Sequence, residues 1–160
     1  MVRRMMESDA PNLQDLELTQ LVSFGEALCL EEICLRKYRL KTFFSGWVAG
    51  DAIAAGRIDL IPSRFSTLPR LVESGLVHVD AAFVQVSPPN DAGYCSLGTA
   101  VDVARVAMER AKITVGEINE LTPFTYGDIF VPVSDFDFLV KAKYPPHYFQ
   151  RWPVNEAFDK

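Results

Sequence analysis

Long apolar runs are missing from this sequence. No uncharged apolar stretch approaches the ~18 residues needed to span a bilayer as a helix. The basic opening Met1-Val2-Arg3-Arg4-Met5-Met6 is followed by Glu7 and Asp9, so it lacks the apolar segment of a secretory leader. Cysteine is scarce: Cys29, Cys34 and Cys95 form no CxxC pair. An odd count with no export signal points to a reducing compartment, with thiols used as small buried apolar groups, and the expected location is cytoplasmic. His78 and His147 stand apart from each other and from any Cys or Asp at metal-ligand spacing, so no metal site is expected. A basic excess is absent too. A net charge of −5 and a pI near 5.0 argue against a nucleic-acid partner, while local N–H groups and single arginines leave room for an anionic ligand. Ser87 lacks the G-x-S-x-G setting of a nucleophile elbow, and no G-x-x-x-x-G-K-[ST] phosphate loop, internal repeat or low-complexity tract occurs.

What is present suits one globular domain: 160 residues, 49% hydrophobic and 11% aromatic, with 23% charged residues spread along the chain. A chain of this length buries roughly two-thirds of its unfolded surface and needs no metal or disulfide to fold. Between residues 13 and 40, Leu13, Leu16, Leu21, Phe24, Leu28 and Cys34 recur at loosely helical intervals interrupted by Gly25, which predicts one broken helix or two short ones. A short strand is expected at 42–46, a helical turn at 51–55 stopped by Gly56, and a strand at 58–61 ended by Pro62. Ser66 is the expected N-cap of a helix through Ser74, with Gly75 at its stop. The apolar run 80–87 predicts a strand buried on both faces, ended by Pro88 and Pro89.

Thr99 and Asp102 have capping-box spacing. Asp102, Arg105, Glu109 and Lys112 then form a polar stripe opposite Ala100, Ala104, Ala107, Met108 and Ala111, predicting a helix over 99–112 whose small face lies close to a sheet. Strands follow at 113–118 and 129–131, with a loop over 119–128 between them. Strands alternating with helices argue for an α/β fold with a mainly parallel sheet covered on both faces. The segment Tyr144-Pro145-Pro146-His147-Tyr148-Phe149-Gln150-Arg151-Trp152-Pro153 reads as extended. It is either a linker over 144–160 towards a further domain or an ordinary frayed end.

The strongest chemical candidate is the turn between the strand at 80–87 and the helix expected from Thr99. Ligands bind beyond the carboxyl ends of parallel strands, and a helix start offers unpaired N–H groups to an anion. Ser87, Pro88, Pro89, Asn90, Gly93, Tyr94 and Gly98 are candidates there, joined by Asn119 and Gly127 from the loop 119–128. The glycines would let backbone approach a ligand; the alternative is a tight turn that only shapes the chain. Glu117 and Asp128 read either as an acid/base pair or as loop-supporting carboxylates. Arg57 and Arg64 read as anion contacts or as solvated surface.

Further stretches occur in order: Ala55-Gly56-Arg57-Ile58-Asp59-Leu60-Ile61-Pro62, Val79-Asp80-Ala81-Ala82-Phe83-Val84-Gln85-Val86-Ser87-Pro88-Pro89, Gly93-Tyr94-Cys95-Ser96-Leu97-Gly98, Gly116-Glu117-Ile118-Asn119 and Pro123-Phe124-Thr125-Tyr126-Gly127-Asp128. In this register the chain resembles the N-terminal half of acetyl-CoA hydrolases and of the related acetate-, butyrate- and 4-hydroxybutyrate-type CoA-transferases. The family's usual acidic residue after the paired prolines is Asn90 here. Residues 1–40 show neither the family's opening strand nor its glycine-rich turn and are expected to form a helical segment before a family-like domain at 41–143. The resemblance implies a three-layer α/β domain that works on CoA and acyl-CoA as substrates, with no permanently bound cofactor. It also implies a short-chain carboxylate or water as acceptor and a partner C-terminal half or subunit. That half carries the family's glutamate nucleophile, which matches no residue of this sequence. A half-enzyme interface predicts self-association. The competing expectations are a non-catalytic, truncated or partner-binding domain and a sensor of a small anionic metabolite.

Overall fold

The computed structural model describes residues 1–22 and 37–146, which divide into two units. The first unit comprises Met1–Phe83 and Asp102–Thr114, the second Val84–Val101 and Val115–Lys160.

In the first unit, strands β1 (Leu16–Val22), β2 (Tyr38–Phe44) and β3 (Ile58–Leu60) form an all-parallel sheet in that order. Tyr38 and Leu40 point inward, two residues apart as a strand requires. With Met6, Ala52 and Ile58 they make the core, against which Val2, Met5, Leu16, Leu18 and Ile53 pack. Helix α1 (Val2–Met6) closes one side, fixed by the Tyr38 hydroxyl, which donates to Met5 O at 2.8 Å. The outward residues of β2 are cations with carboxylate partners: Arg39 Nε lies 2.7 Å from Asp59, and Lys41 Nζ 2.6 Å from Glu17. Helix α2 (Gly46–Ala54) links β2 to β3. A 3₁₀ turn (Phe65–Thr67) leads into α3 (Leu68–Glu73), which packs against α4 (Ala104–Arg110). Gly75, with φ +76°, accepts the left-handed turn that stops α3.

A second sheet has the order β4 (Ala81–Val86), β6 (Ile113–Ile118), β8 (Phe138–Lys141); its part in the second unit is Val84–Val86, Val115–Ile118 and β8, and β6 pairs with β8 in parallel from Val115↔Phe138 to Ile118↔Lys141. The short strands β5 (Tyr94–Ser96) and β7 (Phe130–Pro132) pair antiparallel. The fold is thus α/β, with parallel sheets and helices, as expected.

Several local expectations are corrected. The stretch 13–40 holds a strand, β1, where helix was expected; Leu16 and Leu18 stand two apart on a packed face, and the register with β2 overrides the loose helical spacing. Residues 23–36, with Cys29 and Cys34, lie outside the described residues, as do 147–160, with His147 and most of the expected linker. β2 begins four residues before the expected strand, and α2 five before the expected turn. Ser66 is not a cap: it lies inside the 3₁₀ turn, and Thr67 Oγ1 closes that turn by donating to Arg64 O at 2.7 Å. β4 is not buried on both faces: Ala82, Val84 and Val86 are buried, while Phe83 and Gln85 are exposed. The helix expected from Thr99 begins at Ala104, because Asp102 takes φ +39°, a conformation incompatible with a helical turn. Its buried residue is Val106 rather than the alanine face. Elements α1, β5 and β8 were not foreseen.

Gly116 decides how closely β6 and β8 approach. A Cβ there would sit 2.7 Å from Leu139 Cδ2 and 2.9 Å from the Phe136 ring. Gly116→Ala is therefore expected to lower stability by about 1–3 kcal/mol through overpacking, measured by urea unfolding; a change within error would show that the strands re-space freely.

Candidate functional site

β4 and β6 run parallel in one sheet order, and their carboxyl ends release the two loops that carry the sequence candidates. Asn119 N–H donates to Val86 O at 2.9 Å, so the loops start side by side. Past Val86, Ser87 turns inward and is 1% exposed. Its N–H donates to Ser96 O (2.9 Å), its Oγ accepts from Ser96 N–H (2.9 Å), and its hydroxyl proton points to Pro88 O (3.0 Å). Asn90 closes the next turn: its Oδ1 accepts from the N–H groups of Ala92 (3.1 Å) and Tyr94 (2.9 Å), an Asx turn completed by Gly93 at φ +79°. Pro88, Pro89, Asn90, Tyr94 and Gly127 are exposed, Gly93 is half-buried, and Ser87, Gly98 and Asn119 are buried.

The loops are joined by a pair of hydroxyls, Ser96 buried and Thr125 half-buried, that sequence reasoning did not single out. Ser96 is fully buried, and its Oγ accepts from the N–H groups of Gly98 (3.1 Å) and Thr125 (3.2 Å). Thr125 Oγ1 donates to Gly98 O at 2.6 Å, and the Ser96 hydroxyl proton is directed at Thr125, whose carbonyl oxygen lies at 3.2 Å and whose Oγ1 lies at 3.1 Å. Leu97 N–H adds a bond to Ile129 O at 3.1 Å. Gly98, at φ +75°, has no room for a side chain: a Cβ would meet Thr122 Cγ2 at 2.7 Å. Asn119 holds its own corner, accepting from Leu121 N–H (3.1 Å) and donating through Nδ2 to Tyr144 O (3.1 Å). The only signal for the hydroxyl pair lay in Ser96 and Thr125 themselves, inside stretches quoted for their family pattern.

An aromatic cluster rises from the joined loops. Ring centroids of Phe124 and Phe130 lie 5.4 Å apart, Phe124 and Tyr126 5.8 Å, Tyr126 and Phe130 6.0 Å, and Tyr94 and Phe130 6.4 Å. Glu117 meets the amide of Gln85 at 3.5 Å, and Asp128 is exposed beside Gly127. No helix starts at Thr99, because α4 opens only at Ala104. The anion-binding helix terminus expected from Thr99 is therefore absent, and the loop N–H groups named above are bonded within the loops. Elsewhere, His78 Nδ1 lies 3.3 Å from Asp80, whose carboxyl is held below its usual range chiefly by the hydrogen bond from Lys112. Arg57 and Arg64 are exposed. Among the described residues no group of three His, Cys, Asp or Glu side chains is placed to hold a metal, and no helix is long and apolar enough to cross a membrane.

Two predictions follow from this geometry. Ser96→Ala leaves the Gly98 and Thr125 N–H groups without their acceptor and should cost about 2–4 kcal/mol, whereas exposed Ser134→Ala should stay within about 0.5 kcal/mol; chemical denaturation compares them. Burial pushes the Cys95 thiol above its ordinary value. Its contribution to stability is then complete below the unfolded thiol's pKa and lost as pH rises through the folded one, since the unfolded chain ionises first. Cys95→Ala should flatten the alkaline limb of a stability–pH profile; an unchanged limb would contradict the burial argument.

Residues 2–145 match the model of the acetyl-CoA hydrolase/transferase N-terminal domain. The chain is 37% identical over 134 residues to the 4-hydroxybutyrate coenzyme A transferase of Clostridium kluyveri, covering 84% of this chain and 31% of that protein. It is 34% identical over 123 residues to the succinyl-CoA:acetate/propanoyl-CoA:succinate CoA transferase of Fasciola hepatica, covering 77% of this chain and 26% of that one. The chain thus spans less than a third of the length of these relatives. Among solved structures, a single-residue variant of RipA shares the fold, with a TM-score of 0.82 and 22% identity over 98% of this chain and 37% of that one. The match extends across β1, so the strand-bearing N-terminal segment is part of the same pattern. The chain belongs to the acetyl-CoA hydrolase/transferase family and carries its N-terminal domain.

Proposed function

We propose that this domain forms one wall of an acyl-CoA site in CoA exchange between a short-chain acyl-CoA and a carboxylate, or water. The observation that carries this reading is the interlocking of loops 87–98 and 119–129 beyond the carboxyl ends of β4 and β6, where α/β sheets bind ligands, in a chain of this family. Pro88, Pro89, Asn90, Tyr94 and Gly127 would face the substrate; Ser87, Gly98 and Asn119 would hold that surface in place.

The chemistry would be completed by the family's glutamate, which has no counterpart among these residues. Its carboxylate oxygen attacks the thioester carbonyl carbon, the C–S bond breaks, and CoA leaves as thiolate with an acyl–glutamyl anhydride behind. The thiolate then attacks the glutamyl carbonyl, releasing the acyl group as carboxylate and leaving glutamyl-CoA for the acceptor. Splitting the exchange this way replaces one difficult step by easier ones. This domain's part is positional, presenting a fixed surface against which the acyl group lies.

The test is reconstitution. The chain, mixed with the C-terminal portion of a family member, is expected to move CoA from butyryl-CoA to labelled acetate where neither part does so alone. Replacing 88–93 by a glycine–serine segment of equal length should lower the rate about 100-fold, as misplaced binding surfaces do. An undiminished rate would remove the loop from the site.

A further inference from the structure

We propose that the wall formed by these loops selects an uncharged acyl group and disfavours one ending in a carboxylate, an inference that rests on the reading of the loops as acyl-facing. Three independent features converge on it. The first is the surface itself. Tyr126 is 84% exposed and Tyr94 41% exposed, with Phe124 and Phe130 packed beneath them. Ring faces provide carbon-rich contact area and carry negative π density, which suits an alkyl or neutral polar chain and not an anion.

The second feature is charge. From 84 to 101 and from 115 to 140 the sequence contains no lysine or arginine, while it contains Asp91, Glu117, Glu120, Asp128, Asp135 and Asp137. Asp91 and Asp128 flank the ring-bearing stretches and are exposed. The first cation after this span, Lys141, is 2.7 Å from Glu120. The third feature is the spent donors. The N–H groups of Asn90, Ala92, Gly93, Tyr94, Ser96, Leu97 and Gly98 all have acceptors inside the loops, and so do the hydroxyls of Ser87 and Thr125. A distal carboxylate laid here would lose water and meet rings and like charge, with neither a cation nor a free amide among these groups to receive it. Discrimination would come from that repulsion rather than from a tighter fit to the neutral group.

The experiment uses the purified chain and two small thioesters that differ only at the far end, butyryl- and succinyl-N-acetylcysteamine, followed through amide resonances of Tyr94, Tyr126 and Gly127. The butyryl thioester is expected to shift these resonances at concentrations about tenfold lower than the succinyl one. Asp91→Lys and Asp128→Lys, both at exposed positions, should narrow that ratio by strengthening succinyl binding. Equal binding of the two probes, or a ratio that neither lysine changes, would overturn the selectivity while leaving the loops acyl-facing. If neither probe moves the loop resonances, the acyl-facing reading fails and the inference falls with it.

Discussion

The Ser96 hydroxyl is the contact on which the candidate surface depends. A serine oxygen has one proton to give and two lone pairs to share, and all three capacities are used here: two backbone N–H groups in, and one proton out towards Thr125. The backbone at Gly98 and Thr125 turns away from any ladder, so its N–H groups need a partner that secondary structure does not supply. An apolar side chain of the same size would fill the space and leave those donors unpaired. The net gain of each bond is modest, but the cost of losing its acceptor is not. This one oxygen ties the left-handed turn at Gly98 to Thr125, the residue between Phe124 and Tyr126.

Not all of this was legible in the residues. β4 and β6 were, because dense apolar runs bounded by prolines and polar turns carry their own signal. β1 was not, since Leu16, Leu21 and Leu28 fit a helical count as well as Leu16 and Leu18 fit a strand. Only pairing with β2 decides between them, and pairing is a non-local fact. The spacing of Asp102, Arg105 and Glu109 did announce α4 but misplaced its start, because Thr99 and Asp102 have the types of a capping box without its backbone: a residue at φ +39° cannot serve as its third helical position. Ser96 and Thr125 were invisible for a different reason. Single hydroxyl residues have no period, and the contact of these two comes with the non-local pairing of β5 and β7.

Charge is distributed unevenly between the two units. In the first, cations and carboxylates alternate across strands, as in Arg39 with Asp59 and Lys41 with Glu17. These pairs are largely solvated and contribute little to stability; their use is to keep the outer face of β2 polar while Tyr38 and Leu40 face the core. In the second unit the stretches 84–101 and 115–140 carry six carboxylates and no lysine or arginine.

The proposed positional role also bears on why the loops are so fully bonded within themselves. A surface that must stabilise a developing oxyanion keeps donors free and aimed at the reacting atom. A surface that only orients an acyl chain gains from the opposite arrangement, with every donor satisfied internally, because rigidity lowers the entropy lost when the chain is held. The hydrogen bonds of Ser87, Asn90, Ser96, Asn119 and Thr125 are of the second kind. The loops lie beyond the carboxyl ends of β4 and β6, and they carry the rings of Tyr94, Phe124, Tyr126 and Phe130 together with Asp91 and Asp128. On the proposed reading, placement sets where an acyl group lies, and the rings and carboxylates set which acyl groups are tolerated there.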